Sequence, residues 1–129
     1  MIETTELHHV AIIGTDYEKT RHFYVDLLGF EEVSTYHRPE KNDILFNLEK
    51  GTIWLEIFIK ADAPLRPIMP QPEHTGLRHL AFRVNDVEAC LATFDRQGIP
   101  HEGLRYDDFD GKKMAFFFDP DGLPLEIHE

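Results

Sequence analysis

Short apolar runs separated by polar breaks recur along this chain in an order that occurs twice. In the first copy, residues 7–14 alternate loosely and are rich in β-branched side chains, which predicts a strand. Residues 16–28 then carry apolar side chains at helical spacing until Gly29, which predicts a helix that ends there. Three further strands are predicted at 31–38, 43–49 and 52–60, the last two joined by a tight turn at Lys50-Gly51.

The second copy begins about 70 residues after the first. Residues 77–84 are predicted to form a strand and residues 86–97 a helix. Strands near 101–106, 112–118 and 123–128 follow, with turn chemistry at Asp119-Pro120-Asp121-Gly122 before the last one.

A proline-rich segment, residues 61–75, separates the two copies. Neither a helix nor a central strand tolerates its proline spacing. We therefore predict an α+β fold with an internal twofold repeat of βαβββ modules. The whole chain, 1–129, would be one domain, with modules at about 6–60 and 76–129 and a connector at 61–75. The connector prolines are Pro64, Pro67, Pro70 and Pro72.

Composition removes several classes of function. A chain of 129 residues is long enough to form a stable hydrophobic core without disulfides or structural metal ions. Its 13 basic against 24 acidic residues give a net charge of -11, which would repel a phosphate backbone, so we expect no nucleic-acid partner. The sequence has no apolar run long enough to span a membrane and no export signal pattern, so we expect a cytoplasmic protein.

Two histidine-glutamate pairs carry the candidate chemistry. His9 precedes Glu56 by 47 residues, and His79 precedes Glu126 by the same interval. Each histidine opens an apolar run, and each glutamate lies within the tripeptide Leu-Glu-Ile. Carboxylates in apolar strands are costly unless they share a counter-charge. The repeat therefore predicts that each copy supplies half of a four-ligand metal site.

The four residues form a mixed nitrogen and oxygen donor set. Such a set suits a divalent ion, with Zn²⁺ or Ni²⁺ favoured and Co²⁺, Mn²⁺ or Fe²⁺ also compatible. Four protein ligands leave positions open, which is typical of a catalytic rather than a structural metal. The alternative is structural pairing of the histidines and glutamates. The repeat selects His9 over His8, since His8 would correspond to Arg78.

Four segments of the chain carry a family resemblance. They are Leu7–Ile12, Phe23–Phe30, Leu77–Phe82 and Phe118–Gly122 leading into Leu125-Glu126. Together they resemble the vicinal oxygen chelate superfamily, on its glyoxalase I side, over essentially the whole chain. Among its members the chain is most similar to the small bacterial glyoxalase-like metalloproteins. The resemblance implies paired βαβββ modules around a metal, with ligands at His9, Glu56, His79 and Glu126.

The activity implied by this resemblance is that of a glyoxalase I-like lyase or isomerase related to lactoylglutathione lyase. A hemithioacetal or similar substrate would place two vicinal oxygens on the metal, and the reaction would pass through a metal-bound enediolate. The resemblance favours Glu126 as the catalytic base, with Glu56 opposite it, although the repeat makes the two glutamates nearly equivalent.

Substrate recognition is where the chain departs from the family. Glutathione-dependent relatives carry Arg and Asn at the positions of Ile13 and Lys60, so glutathione is not the expected thiol. Arg83 shares the predicted strand face of His79. We hypothesise that Arg83 and Lys60 bind an anionic substrate group, the alternative being solvated cations at strand ends. His128, which shares the face of Glu126, is a further substrate-side candidate.

Two rival classes stay open. One is another metal-dependent enzyme of the superfamily, an epimerase or a dioxygenase. The other is a small-molecule-binding protein of the bleomycin-resistance type, which needs no metal ligands. In either case we expect a small-molecule ligand and a homodimer, with each metal site formed within one chain or shared between two.

Overall fold

The computed structural model describes residues 1–68 and 72–129, and its chain contacts divide it into two compact units. Unit 1 is Met1–Pro64 and unit 2 is Leu65–Glu129. The predicted connector proline Pro70 lies outside the described residues. No helix within the described ranges is long and apolar enough to cross a membrane.

Unit 1 is a four-stranded mixed sheet with one helical segment. The strands lie in the order β1-β4-β3-β2; β1 runs parallel to β4, and the other neighbours are antiparallel. Gly51, with φ 59°, forms the predicted tight turn between β3 and β4. The elements are β1 (Val10–Gly14), α1 (Tyr17–Arg21), a π-helical segment (His22–Leu27), β2 (Glu31–Arg38), a 3-10 turn (Pro39–Lys41), β3 (Asp43–Lys50) and β4 (Ile53–Ile59).

The predicted helix of unit 1 is continuous but changes its winding. The side chain of Asp16 caps its start by accepting a hydrogen bond from the backbone N–H of Lys19 at 3.0 Å. After α1 the chain continues as the π-helical segment, in which Phe23 and Tyr24 are both buried and meet edge to face at 4.9 Å. Gly29, with φ 77°, follows the last turn, as the sequence predicts.

Unit 2 repeats this arrangement in the same strand order, β5-β8-β7-β6, with β5 parallel to β8. Asp86 caps the start of α2 and Gly98, with φ 68°, ends it. The strand predicted near 101–106 is shorter in the structure, where β6 contains two residues, Arg105–Tyr106. Before it, His101 forms an isolated bridge with Phe117. The elements are β5 (Leu80–Arg83), α2 (Val87–Gln97), β6 (Arg105–Tyr106), β7 (Lys113–Phe118) and β8 (Pro124–His128).

The two sheets match in register as well as in order. Ala11 lies opposite Glu56 in unit 1, and Ala81 lies opposite Glu126 in unit 2. Each unit also has its own apolar core, which includes Phe46, Leu48, Leu55 and Ile57 in unit 1 and Val87, Phe117, Leu125 and Ile127 in unit 2. The predicted α+β fold of paired βαβββ modules is confirmed.

Candidate metal centre

In unit 1 the fold brings His9 and Glu56 together. Glu56 is in β4, and His9 lies one residue before β1, its parallel neighbour. Nε2 of His9 is 3.1 Å from Oε2 of Glu56, and the two side chains are 38% and 30% exposed. The pair is therefore close enough to bind one ion and is open to a ligand from outside.

Unit 2 contains the corresponding pair in the corresponding place. His79 precedes β5 by one residue, and Nε2 of its imidazole is 2.8 Å from Oε2 of Glu126 on β8. This glutamate side chain is more enclosed, at 8% exposure. The equal sequence intervals thus correspond to two equivalent strand pairings.

The donor atoms of each pair fit a borderline divalent cation. An imidazole nitrogen and a carboxylate oxygen within about 3 Å of each other can both approach one ion, and both are common ligands of Zn²⁺ and its neighbours. Unit 1 also contains a buried hydrogen-bond acceptor, Oδ1 of Asn47, which lies opposite Glu56 in the sheet. This oxygen receives no hydrogen bond from residues 1–68 or 72–129. Such an atom costs about 1–3 kcal/mol unless a donor reaches it.

His8 contacts the proposed ligand His9, although the repeat selected only His9 as a candidate ligand. Nδ1 of His8 is 2.9 Å from Nδ1 of His9, while Nε2 of His9 points to Glu56. His8 itself stacks on the ring of Trp54, with centroids 5.5 Å apart. A partner at one ring nitrogen fixes which nitrogen of His9 can bind an ion.

His128 contacts the glutamate of unit 2 directly. Its Nδ1 is 2.9 Å from Oε1 of Glu126, and its Nε2 is 2.7 Å from Oδ2 of Asp110. The hydrogen bond to Glu126 and then the one to Asp110 raise the pKa of His128 above its usual value. Two carboxylates can be satisfied together only by an imidazole that donates from both nitrogens.

Asp107 and Asp110 belong to this cluster and were not predicted from the sequence. Donor atoms of Asp107, Glu126 and His128 lie within 4.8 Å of one another. Asp107 also shapes the turn after β6, since its carboxylate accepts hydrogen bonds from the backbone N–H groups of Phe109 and Asp110. The sequence signal is the acidic turn Asp107-Asp108-Phe109-Asp110, which looks like an ordinary solvated loop.

Lys60 and Arg83, the hypothesised anion-binding residues, lie in different settings. Nζ of Lys60 is 3.0 Å from Oδ2 of Asp43. Arg38 donates to the same carboxylate twice, from Nε to Oδ1 and from Nη2 to Oδ2. The hydrogen bonds from Arg38 lower the pKa of the enclosed Asp43 carboxyl to about 2. Arg83 is exposed at the end of β5, opposite His128, and has no ion pair within the described ranges.

Comparison with known families identifies the fold and its class. The family model described as Glyoxalase/Bleomycin resistance protein/Dioxygenase superfamily matches residues 6–127. The chain therefore belongs to this superfamily, the vicinal oxygen chelate group that its motifs resemble.

Close relatives extend over the whole chain. It is 42% identical over 124 residues to the uncharacterized protein YwkD of Bacillus subtilis, with 95% of each chain aligned. It is 41% identical over 133 residues to the uncharacterized protein YaeR of Escherichia coli, covering 100% of this chain and 99% of the relative. The crystal structure of a glyoxalase family protein from Enterococcus faecalis has a TM-score of 0.90 at 57% identity, covering 96% of this chain and 97% of that one.

More distant relatives differ in their named activities. A trypanothione-dependent glyoxalase I from Leishmania major has a TM-score of 0.73 at 24% identity, over 98% of this chain and 87% of that one. The fosfomycin resistance protein FosX of Listeria monocytogenes has a TM-score of 0.77 at 18% identity, over 98% of this chain and 93% of that one. A mouse methylmalonyl-CoA epimerase is 24% identical over 95 residues, 72% of this chain and 53% of the relative. Membership in the superfamily therefore does not specify the reaction.

Proposed function

We propose that the chain is a metal-dependent enzyme of the glyoxalase I type, which moves a proton between adjacent carbons of a small substrate with two vicinal oxygens. The observation that carries this proposal is the pair of equivalent histidine-glutamate contacts, 3.1 Å in unit 1 and 2.8 Å in unit 2. A binding protein of the resistance type has no need of two such pairs, whereas a metal-dependent isomerase needs both donors and bases.

The residues that would hold the metal are His9, Glu56, His79 and Glu126. Zn²⁺ or Ni²⁺ is the expected ion, and Co²⁺, Mn²⁺ or Fe²⁺ is compatible with the same donors. When bound, the ion would polarise the vicinal oxygens of the substrate and make the neighbouring C–H more acidic.

The two glutamates supply the proton-transfer groups. A carboxylate within hydrogen-bond reach of a substrate carbon acid can accept its proton and return it to the adjacent carbon, without a redox cofactor. Glu126 is fixed on both oxygens, by His79 and His128, whereas for Glu56 the contact with His9 holds one oxygen. This difference favours Glu56 as the group that moves a proton and Glu126 as the more rigid ligand.

The thiol part of the substrate is not expected to be glutathione. Ile13 stands where glutathione-dependent relatives carry an arginine, and its side chain is exposed and apolar. Lys60 stands in place of the second contact, and its ammonium group is paired with Asp43. A smaller or differently charged thiol suits these positions better.

The test is a turnover assay on protein loaded with Ni²⁺ or Zn²⁺, with methylglyoxal and a panel of thiols that includes glutathione. We expect turnover with at least one thiol, and loss of about 10²–10⁴-fold in Glu56→Gln. Absence of turnover with every thiol in fully loaded protein would reject the glyoxalase reaction.

An epimerase is the second candidate, since a methylmalonyl-CoA epimerase is among the relatives that align with the chain. Epimerisation also needs a base beside an acidified C–H, so the same residues would serve. Exchange of substrate hydrogen with D2O in the absence of any thiol would favour it over the glyoxalase reaction.

A homodimer is part of the proposal, and the two pairs would bind one ion either within a chain or across the dimer. Mixing a His9→Ala Glu56→Gln variant with a His79→Ala Glu126→Gln variant separates the two arrangements. Recovery of bound metal in the mixture is expected for a shared site, and no recovery for a site within each chain.

A further inference from the structure

Two arginines of unit 2 lie over the same aromatic ring, beside the candidate metal ligands. Cζ of Arg105 is 5.1 Å and Cζ of Arg78 is 5.9 Å from the centroid of Phe116. The imidazole of His79 meets this ring edge to face, with centroids 5.0 Å apart. Phe116 thus joins two guanidinium groups to one of the proposed ligands.

The sheet places this group on the face that carries Glu126. Phe116 lies opposite Glu126 between β7 and β8, and Arg105 lies opposite Met114, the next residue of β7 on that face. Phe116 is buried, while the two arginine side chains are about half exposed. The guanidinium groups therefore border the candidate centre and remain open to a ligand.

The charges of these two arginines are only partly paired, in a chain with a net charge of -11. Glu73 accepts a hydrogen bond from Nε of Arg78, and Glu102 is 3.8 Å from Arg105, which is a loose contact. Stacking over an aromatic ring holds a guanidinium plane in place and leaves N–H groups at its edge. Two guanidinium groups over one ring supply several such N–H groups, and an oxyanion accepts several hydrogen bonds at once.

Open space also adjoins Arg78. A cavity of about 100 Å³ is lined by Arg78, Arg66, His74 and Pro124, among others. This volume is roughly three times the share of one water in the liquid, enough for a small oxyanion group. The lining adds another arginine and a histidine.

We propose that Arg78 and Arg105 form an anion subsite for a carboxylate, phosphate or phosphonate group of the substrate. The inference rests on the proposed function in one respect: the anion would be part of the molecule whose vicinal oxygens face His79 and Glu126. It assigns substrate charge recognition to the arginines over Phe116, rather than to Lys60, which pairs with Asp43, or to Arg83 at the strand end.

The experiment titrates the full-length protein, freed of metal by a chelator, with inorganic phosphate and separately with acetate, following arginine Nε–Hε resonances by NMR. We expect saturable binding that shifts the Arg78 and Arg105 signals and weakens with salt. Arg105→Gln and Arg78→Gln should each weaken binding by tenfold or more. The stronger of the two probes identifies whether the subsite prefers a phosphoryl or a carboxylate group.

Two control variants make the result specific. Arg96→Gln removes an exposed arginine of α2 that donates to Thr93, and it should bind as the wild type does. Circular dichroism confirms folding, and Arg105→Lys, which keeps the charge but loses the planar fork, should show partial loss.

Absence of saturable binding, or equal binding by the Arg105→Gln and Arg96→Gln variants, would overturn the proposal. Metal-free titration separates this outcome from failure of the proposed function. Phosphate or acetate binding at Arg105 in a protein that binds no metal would leave the subsite standing and reject the metal enzyme. If the enzyme turns over anionic substrates and Arg105→Gln leaves their KM values unchanged, the subsite is rejected but the proposed function is not.

Discussion

Nδ1 of His128 lies 2.9 Å from Oε1 of Glu126, and this contact distinguishes the histidine-glutamate pair of unit 2 from that of unit 1. Glu126 is held by histidines on both oxygens, and its side chain is 8% exposed. Glu56 contacts His9 through one oxygen, and its side chain is 30% exposed. The repeat thus supplies two equivalent histidine-glutamate pairs, while the residues around them differ.

Replacing His128 tests whether this contact positions a metal ligand. We expect His128→Gln to weaken Zn²⁺ binding by about 10–100-fold, since partners of a ligand fix its orientation and basicity. Competition with a chromophoric chelator measures the affinity. His101→Gln is the control, because His101 contacts Asp95 and the carbonyl of Glu102 rather than Glu126. Equal affinities in the two variants would contradict a positioning role.

We expect the two glutamate-to-glutamine variants to lose different properties, one of them metal binding and the other catalytic rate. Glu126→Gln should reduce metal occupancy, because the enclosed carboxylate is fixed between two histidines. Glu56→Gln should retain more metal but lose about 10²–10⁴-fold in kcat, as expected for a proton-transfer group. Metal content and steady-state kinetics on the same samples separate these effects. The reverse pattern would assign the base to Glu126, which the family resemblance favours.

Acid sensitivity should arise in part from Asp43. Its folded pKa is lowered to about 2 from 3.8, mainly by hydrogen bonds from Arg38. A lowered folded pKa stabilises the protein above the unfolded pKa and ceases to do so as pH falls through the folded value. The stability advantage of the wild type over Asp43→Asn should therefore be full above about pH 4 and shrink toward pH 2.

Urea unfolding across that pH range measures the difference. Asp62→Asn, which changes an exposed carboxyl, is the control. The difference in unfolding free energy between wild type and this variant should change less with pH. A stability difference between wild type and Asp43→Asn that stayed constant down to pH 2 would contradict the assignment.

His101 should titrate above the ordinary value for histidine. Nε2 lies 2.8 Å from Oδ1 of Asp95 and Nδ1 lies 2.7 Å from the carbonyl of Glu102, so both nitrogens face acceptors. The hydrogen bond to Asp95 is the larger cause of the raised pKa. Asp95→Asn should lower it in an NMR titration, whereas Asp108→Asn should not. An unchanged pKa in Asp95→Asn would show that the bond does not persist in solution.

The repeat made much of the fold predictable from the sequence. Identical spacing of His9 to Glu56 and His79 to Glu126 predicted an internal repeat, and the matching registers of Ala11 with Glu56 and Ala81 with Glu126 agree with it. Strand alternation, helix caps and glycine stops are local signals, so they can be seen in a single sequence.

The surroundings of the ligands were not predictable in the same way. Asp110 reaches His128 from a turn 18 residues away, and Arg105 reaches Phe116 across a strand pair. Such contacts depend on loop conformation and side-chain rotamers, which leave no periodic pattern in the sequence. The ion pair of Lys60 with Asp43 is a further side-chain contact that the sequence did not predict.

Elemental analysis of the purified protein, alongside His9→Ala and His79→Ala variants, tests the metal centre most directly. The paired ligands predict roughly one divalent ion per chain in the wild type, and loss of that ion in either variant. The same samples should retain native circular dichroism, so that loss of metal is not loss of fold. A wild type without stoichiometric metal after reconstitution with Zn²⁺ or Ni²⁺, or variants with undiminished metal, would contradict the proposed centre.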